Sequence, residues 1–180
     1  MSPINIECEL RSFVTEEQFN ELFERFKRIA MYGGEDHQIT YYFSGNGDPD
    51  LRIQKSDRDS KIWMKKGRLH DEAREEIEVH CQPGDFEKLE RLFTALGYEV
   101  VIKWYRTRHV FKLDGVAVTL DDTKGYGRII ELEKVCYEHE RDRTLEELRA
   151  KMNEIGVPIT PREEFDAKYA WYKEHWRELV

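Results

Sequence analysis

Charged side chains recur two residues apart along this chain of 180 residues. Glu7, Glu9 and Arg11 form one such set, and Arg52 with Gln54 a second. Arg74, Glu76 and Glu78 follow, then Arg106 with Arg108, and finally Glu131 with Glu133. In an extended strand, residues two apart share a face. Each set therefore points one way while its neighbours, such as Ile6, Cys8 and Leu10, or Ile130 and Leu132, point the other. On any single strand this describes the wet face of an ordinary antiparallel sheet. Taken together the sets are less ordinary, because they repeat like charges rather than mixing Thr, Ser, Lys and Glu. Two carboxylates about 4 Å apart repel by about 4 kcal/mol at an effective dielectric near 20. Three acidic pairs on one concave surface need compensation, part from Arg and Lys and the rest from a divalent cation. Hard cations such as Mg²⁺ take oxygen ligands and bridge to phosphates, and the planar fork of arginine matches phosphate oxygens. Arg11, Arg52, Lys65, Arg106 and Arg108 all fall on expected strands. A cavity with acids on one wall and bases on another suits a metal–polyphosphate complex.

The elements that would position these groups are readable from apolar spacing. Three segments share a plan in which a strand with a Glu-x-Glu pair leads into a helix that stops at Gly. The first runs over Ile4 to Val14. Thr15 then opens a helix to Ala30 with Phe19, Leu22, Phe23, Phe26 and Ile29 on one face, and Gly33-Gly34 ends it. The second is Ala73 to Cys81, then Pro83-Gly84-Asp85 and a helix to Leu96, stopped by Gly97. The third is Arg128 to Tyr137, after which Thr144 caps a helix carrying Leu145, Leu148, Met152 and Ile155 and stopping at Gly156. Between them, Gln38 to Ser44 reads as a strand followed by a turn at Gly45 to Pro49. Asp50 to Lys55 and Lys61 to Lys66 form a hairpin, and Val100 to Leu113 and Val116 to Asp121 form another, turning at Asp114-Gly115. A last helix spans Arg162 to Leu179, with Phe165, Tyr169, Tyr172, Trp176 and Leu179 on one packing face. About eight strands and four helices, with hairpin connections, imply an antiparallel sheet in one domain over residues 1–180.

Composition narrows the function. Charged residues make up 37% of the chain and the formal net charge is −8, which argues against a nonspecific binder of nucleic-acid polymer but not against a local basic cluster for phosphate. Cys8, Cys81 and Cys136 form no CxxC pair, so neither a disulfide framework nor a zinc site is expected. Met1 to Glu9 lacks the pattern of a signal peptide, and no apolar run reaches the ~18 residues of a membrane span. A soluble cytoplasmic protein without a membrane partner is expected, as a monomer or homodimer. The scattered histidines read as structural; His80 continues the Glu76/Glu78 face and has the best claim to a place near it. Trp63 and Trp104 read as core or wall.

Taken in order, these motifs resemble the CYTH domain, or triphosphate tunnel metalloenzyme, family. "IECELR" is similar to the family's Glu-x-Glu-x-Lys opening strand, with Arg11 in place of Lys. "DLRIQ" resembles its Leu-Arg-x-Arg strand, with Gln54 where the second Arg is expected. "WMKKG" resembles the next strand's lysine, at Lys65 or in the alternative register at Lys66, and "AREEIEV" its Arg-x-Glu-x-Glu strand. "LGYEVVIKWYRTRHVF" supplies the basic strand with Arg106 and Arg108, and with Lys103 as a further candidate. "VTLDDTKGYGRIIELE" supplies Asp121, Glu131 and Glu133. The match covers about Ile4 to Glu133.

The resemblance implies an α+β fold: an eight-stranded antiparallel β-barrel, a tunnel with flanking helices. It implies Mg²⁺ or Mn²⁺ held by Glu7, Glu9, Asp121, Glu131 and Glu133. A small-molecule triphosphate would lie against Arg11, Arg52, Lys65, Arg74, Arg106 and Arg108, with Lys65 and Arg106 as catalytic candidates. Gln54, Glu76, Glu78, Lys103 and Tyr169 are further candidates, Tyr169 as part of a C-terminal helix near the tunnel mouth. Known members include class IV adenylate cyclases, thiamine triphosphatases and inorganic triphosphatases. Water attacking the terminal phosphorus makes a triphosphatase, and a ribose 3′-hydroxyl attacking the innermost phosphorus makes a cyclase. The same charges serve both, and a noncatalytic polyphosphate or nucleotide binder stays open. Hydrolysis is preferred because water is the less demanding nucleophile to place.

Overall fold

The computed structural model describes residues 5–44, 50–67 and 70–180. The expected start of the first strand at Ile4 and the turn at Gly45 to Pro49 lie outside them. Among the described residues there are eight strands: β1 (Asn5–Val14), β2 (Met31–Ser44), β3 (Asp50–Lys55), β4 (Ser60–Lys66), β5 (Ala73–Cys81), β6 (Glu99–Leu113), β7 (Val116–Thr123) and β8 (Gly127–Tyr137). Four α-helices among the same residues flank them: α1 (Glu16–Ile29), α2 (Phe86–Ala95), α3 (Arg141–Ile155) and α4 (Arg162–Leu179). Every strand pair is antiparallel, and the ring closes in the order β1-β5-β4-β3-β2-β6-β7-β8. Closure removes free sheet edges and gives alternate residues an inside and an outside.

Most apolar strand residues point outward. Cys8 and Leu10 on β1, Val118 and Leu120 on β7, and Ile130 and Leu132 on β8 are fully or almost fully buried under Phe19, Leu22 and Phe26 of α1 and Leu148, Met152 and Ile155 of α3. Leu51 and Ile53 of β3 pack against Phe86 and Leu89 of α2. α4 differs: it packs Phe165, Tyr172 and Trp176 against Ile102, Trp104, Tyr126 and Ile129, a cluster in which Trp104, Tyr126, Ile129 and Phe165 border the barrel interior. With the hydrophobic faces covered by helices, the charged residues of the same strands line the interior.

Local signals account for most element ends. Thr15 and Gln18 form a reciprocal capping box at the start of α1, Thr15 Oγ1 accepting from Gln18 N at 3.2 Å and Gln18 Oε1 accepting from Thr15 N at 2.9 Å. Asp114 and Gly115, at φ of 51° and 83°, make the tight turn between β6 and β7. Gly156, at φ of 87°, ends α3.

Two expectations fail. Gly33-Gly34 does not stop α1, which ends at Ile29 and passes into β2 at Met31. The glycines sit inside that strand at a bulge, where the register against β6 shifts between Tyr32 and Gly34 and Gly34 takes φ of 109°. Thr144 does not cap α3. A short 3₁₀ turn over Glu138–Glu140 precedes a helix that begins at Arg141, and Thr144 is buried within it. Glu140 accepts from Tyr137 N at 3.1 Å and so caps the 3₁₀ turn, while α3 itself starts without a side-chain cap.

Candidate active site

The barrel encloses a cavity of about 530 Å³, within the size range of small-molecule sites. Seven carboxylates and seven Lys or Arg side chains border it among the described residues. Their distribution follows strand order. Asp121 on β7, Glu131 and Glu133 on β8, Glu7 and Glu9 on β1, and Glu76 and Glu78 on β5 occupy four adjacent strands. Arg106 and Arg108 on β6, Arg52 on β3, and Lys61 and Lys65 on β4 occupy the facing arc, with neutral Gln38 and Tyr42 of β2 between them. Arg11 and Arg74 are the two cations on the acidic side.

Where the walls meet, the charges pair. Lys65 Nζ contacts Glu7 and lies 3.4 Å from Glu9 and 3.1 Å from Glu76. Burial opposes its charge, but Glu9, Glu7 and Glu76 outweigh that and hold its pKa above the ordinary lysine value. Lys65 is therefore a permanent cation here, not a base. Arg108 reaches Asp121 at 2.7 and 2.6 Å and Glu131 at 2.5 Å, while Arg106 donates to Asp121 at 3.0 Å. Asp121 is 1% exposed, and although burial would raise its pKa, Arg106 and Arg108 hold it low. Gln38 Oε1 accepts from Arg106, and Gln38 Nε2 donates to Asp36 at 2.7 Å, so β2 sets the orientation of the guanidinium. Asp50 does the same on the other side, binding Arg52 through two bonds of 2.7 Å and Arg74 through a third of 2.7 Å. Arg52 also lies over the Tyr42 ring at 4.4 Å.

The carboxylates are not equally compensated. Burial would raise Glu9, but Arg11, Lys65 and Arg74 hold it well below the carboxylate range. Burial raises Glu7, and Lys65 pulls against it without overcoming it, Glu9 and Glu76 adding to the rise. Glu131 is raised by burial and by its neighbours Glu9 and Asp121. Glu133 is pushed up to about 7 by burial and by Glu7. Burial, with close carboxylate neighbours adding to it, thus disfavours the charged forms where β8 meets β1. No three or more carboxylate, imidazole or thiol groups among the described residues stand as a preformed metal cage, and Lys65 and Arg108 are among the cations lying between the acids.

Nearly all the expected site residues border this cavity: Arg11, Arg52, Gln54, Lys65, Arg74, Glu76, Glu78, Arg106, Arg108 and Tyr169 join the metal-ligand candidates Glu7, Glu9, Asp121, Glu131 and Glu133. Lys65 rather than Lys66 points inward; Lys66 turns out to Glu75 at 3.0 Å. Gln54 faces in, its Oε1 accepting from Thr40 at 3.2 Å. Lys103 does not belong to the site. It has the opposite strand parity from Trp104, Arg106 and Arg108, and its Nζ sits outside, donating to Tyr41 at 3.0 Å and 3.9 Å from Glu90 of α2. His80 is likewise outside, exposed and bound to Asp59 and Glu78. Trp63 and Trp104, read as core or wall, do border the cavity.

Charge alternation missed the polar and aromatic part of the lining. Gln38 and Tyr42 carry no charge, although their period of two on β2 was readable. Tyr126, in the turn before β8, and His70, in the segment before β5, belong to no alternating strand. Trp104 Nε1 and Thr123 Oγ1 are buried at the cavity without a protein partner.

The family profile of the CYTH domain matches residues 5–166. The chain belongs to the CYTH domain family. A Methanocaldococcus jannaschii protein named "Putative adenylate cyclase" is 27% identical over 162 residues, covering 84% of this chain and 90% of its own. The PH1819 protein of Pyrococcus horikoshii superposes with a TM-score of 0.73 at 27% identity, over 87% of this chain and 93% of its own. A Hippeastrum protein, named a "Putative adenylyl cyclase" whose structure "reveals a dominant" triphosphatase activity, shares the fold at 18% identity and a TM-score of 0.64, over 93% and 96%. The CYTH barrel thus accounts for the ring of eight strands and for the ordered charged motifs. No helix among the described residues is long and apolar enough to cross a membrane.

Proposed function

We propose that this CYTH barrel is a metal-dependent enzyme that hydrolyses a triphosphate. The observation that carries the reading is the partition of charge inside one enclosed cavity, with all seven acids on β7, β8, β1 and β5 and five of the seven bases on β6, β3 and β4. With as many carboxylates as fixed cations along the wall, the lining is close to neutral. A polyanion entering it needs countercharge beyond what the protein supplies.

The donor set fits a hard divalent cation. Glu7, Glu9, Asp121, Glu131 and Glu133 offer only oxygen, and Glu7, Glu131 and Glu133 are raised by burial first and by carboxylate neighbours next, a cost to their charged forms that a cation would relieve. These residues would hold Mg²⁺ or Mn²⁺, which supplies charge neutralisation and Lewis acidity at the phosphoryl oxygens.

The chain's own work is to position and neutralise. Arg52 and Arg74, tied by Asp50, and Arg106, tied by Gln38, are pre-oriented for phosphate oxygens. Lys65 and Arg108 are the cations that exchange a carboxylate for a phosphate oxygen as the ligand enters. Phosphoryl transfer gains most from fixed positive charge around the transferring group, and Lys65 and Arg106 are placed to supply it. A cavity of about 530 Å³ is of the size that small-molecule ligands occupy, which supports a small triphosphate as substrate.

The alternative product is cyclic AMP, favoured by the name of the M. jannaschii relative. Incubation with ATP, thiamine triphosphate and tripolyphosphate in Mg²⁺ or Mn²⁺ separates the cases. Hydrolysis predicts orthophosphate and the corresponding diphosphate. Cyclic AMP and pyrophosphate from ATP would replace that reading with the cyclase, and binding without turnover would replace it with a noncatalytic polyphosphate binder.

A further inference from the structure

Apart from its carboxylates, lysines, arginines and tyrosines, the cavity wall carries one ionisable ring among the described residues, His70. Its side chain is 7% exposed, packed against Phe165 and Tyr169 of α4 with ring centroids 5.8 and 5.6 Å away. His70 Nδ1 lies 2.6 Å from Asp166 Oδ1. An ionised carboxylate only accepts, so Nδ1 carries the proton and Nε2 keeps its lone pair. Asp166 is itself held by Arg162 Nε at 3.4 Å, and Arg162 Nη1 donates to Asp71 at 2.6 Å. The first turns of α4 and the segment at His70 are thus tied at adjacent points, which fixes the ring.

We propose that His70, oriented by Asp166, is the proton acceptor for the attacking hydroxyl in this cavity. Nε2 takes the proton as the nucleophile's oxygen bonds to phosphorus. The bond from phosphorus to the bridging oxygen breaks, and its electron pair leaves on the departing phosphate. Asp166 stabilises the imidazolium until its proton passes to product or solvent. The proposal rests on the triphosphate reading and adds to it the group that activates the nucleophile.

The charged and titratable groups facing the ring are Asp166 and Tyr169 from α4, Arg11 from β1 and Arg52 from β3. Burial first, and then Arg11 and Arg52, push its pKa down to about 4 against the pull of Asp166. At neutral pH the ring is therefore uncharged and able to accept. A phosphate chain that neutralises the two guanidiniums raises its basicity as the substrate arrives.

His70 has φ of 65°, a left-handed conformation that glycine adopts freely, so His70→Gly removes the ring while leaving the backbone unstrained. With wild-type turnover of tripolyphosphate or ATP established, His70→Gly is expected to lose roughly 100-fold or more in kcat with KM little changed. Added imidazole restores part of that loss, and the acid limb of the kcat profile disappears. Asp166→Asn is expected to lower kcat less and to shift the same limb. Nitrogen NMR of the wild-type ring, in the absence of any substrate, is expected to show the proton on Nδ1. Wild-type turnover with an unchanged His70→Gly profile, a loss that imidazole does not rescue, or a proton on Nε2 overturns the role of His70 alone. A wild type that turns over none of the triphosphates overturns the parent reading, and this role with it.

Discussion

Glu9 and Glu133 stand directly opposite one another across the β1–β8 ladder, yet their charges are treated in opposite ways. Arg11, Lys65 and Arg74 overcome burial at Glu9 and hold it ionised. Burial and the nearby Glu7 push Glu133 up to about 7, with Arg108 and Lys65 too weak to offset them. Paired carboxylates separated in this way mark the place where the protein leaves negative charge unmet.

Replacing both β8 acids by Glu131→Gln and Glu133→Gln removes oxygen donors without removing bulk. Metal-dependent phosphate release is expected to fall by roughly 100-fold or more, while the melting temperature stays level or rises because buried repulsion is relieved. Steady-state kinetics beside thermal melts check both halves. Undiminished metal-dependent activity would refute this assignment of ligands.

The stability of the metal-free protein carries the signature of Glu133. Its folded pKa is raised, so the native state binds more protons than the unfolded chain, and this contribution to stability is lost as pH climbs from the ordinary carboxylate value to about 7. Melting in EDTA is expected to show this contribution largely present near about pH 5 and gone by about pH 8, where the group is ionised in both states. Mg²⁺ should stabilise more at about pH 8 than at about pH 5, because protons compete for the same oxygens. Stabilisation by Mg²⁺ that is independent of pH would count against these carboxylates as its ligands.

Neighbouring lysines on β4 are expected to behave differently. Lys65→Ala should lower kcat/KM by roughly 100-fold or more, since it removes fixed positive charge inside the cavity. Lys66→Ala should change it by less than about twofold, because that ammonium sits outside against Glu75. Equal effects from the two would show that the register of β4 is wrong.

Asp50 acts through Arg52 and Arg74, both of which it binds. Asp50→Asn is expected to raise KM for the triphosphate about tenfold while changing kcat much less, since it loosens two phosphate-binding groups rather than the reacting centre. A fall confined to kcat would point to a different role.

How much of this was legible in the sequence differs from residue to residue. Glu7, Glu9 and Arg11 could be read as one face because a strand's period of two fixes side-chain direction regardless of context. Lys103 fails the same test: its parity opposes that of Arg106, so the basic-strand resemblance that includes it does not bring it inward. Gly33-Gly34 was misplaced because glycine ends helices and also permits bulges, and only the pairing of β2 with β6 distinguishes the two. Ring closure joins β1 to both β5 and β8, so no local pattern could show that Glu7 and Lys65 meet. The meeting of Cys8 and Cys136, whose sulfurs lie 3.6 Å apart beneath α3, was hidden for the same reason. His70 was invisible because its role depends on Asp166, 96 positions away.

The central claim is that the two charged walls grip one metal–triphosphate complex between them. Crystals soaked with tripolyphosphate and Mn²⁺, with data collected for the anomalous signal of manganese, test it most directly. The account predicts a manganese peak against the carboxylates of β1 and β8, and a phosphate chain against Arg52, Lys65, Arg106 and Arg108. Manganese found only outside the barrel, or phosphate bound to outer surfaces while the interior stays clear, would contradict it.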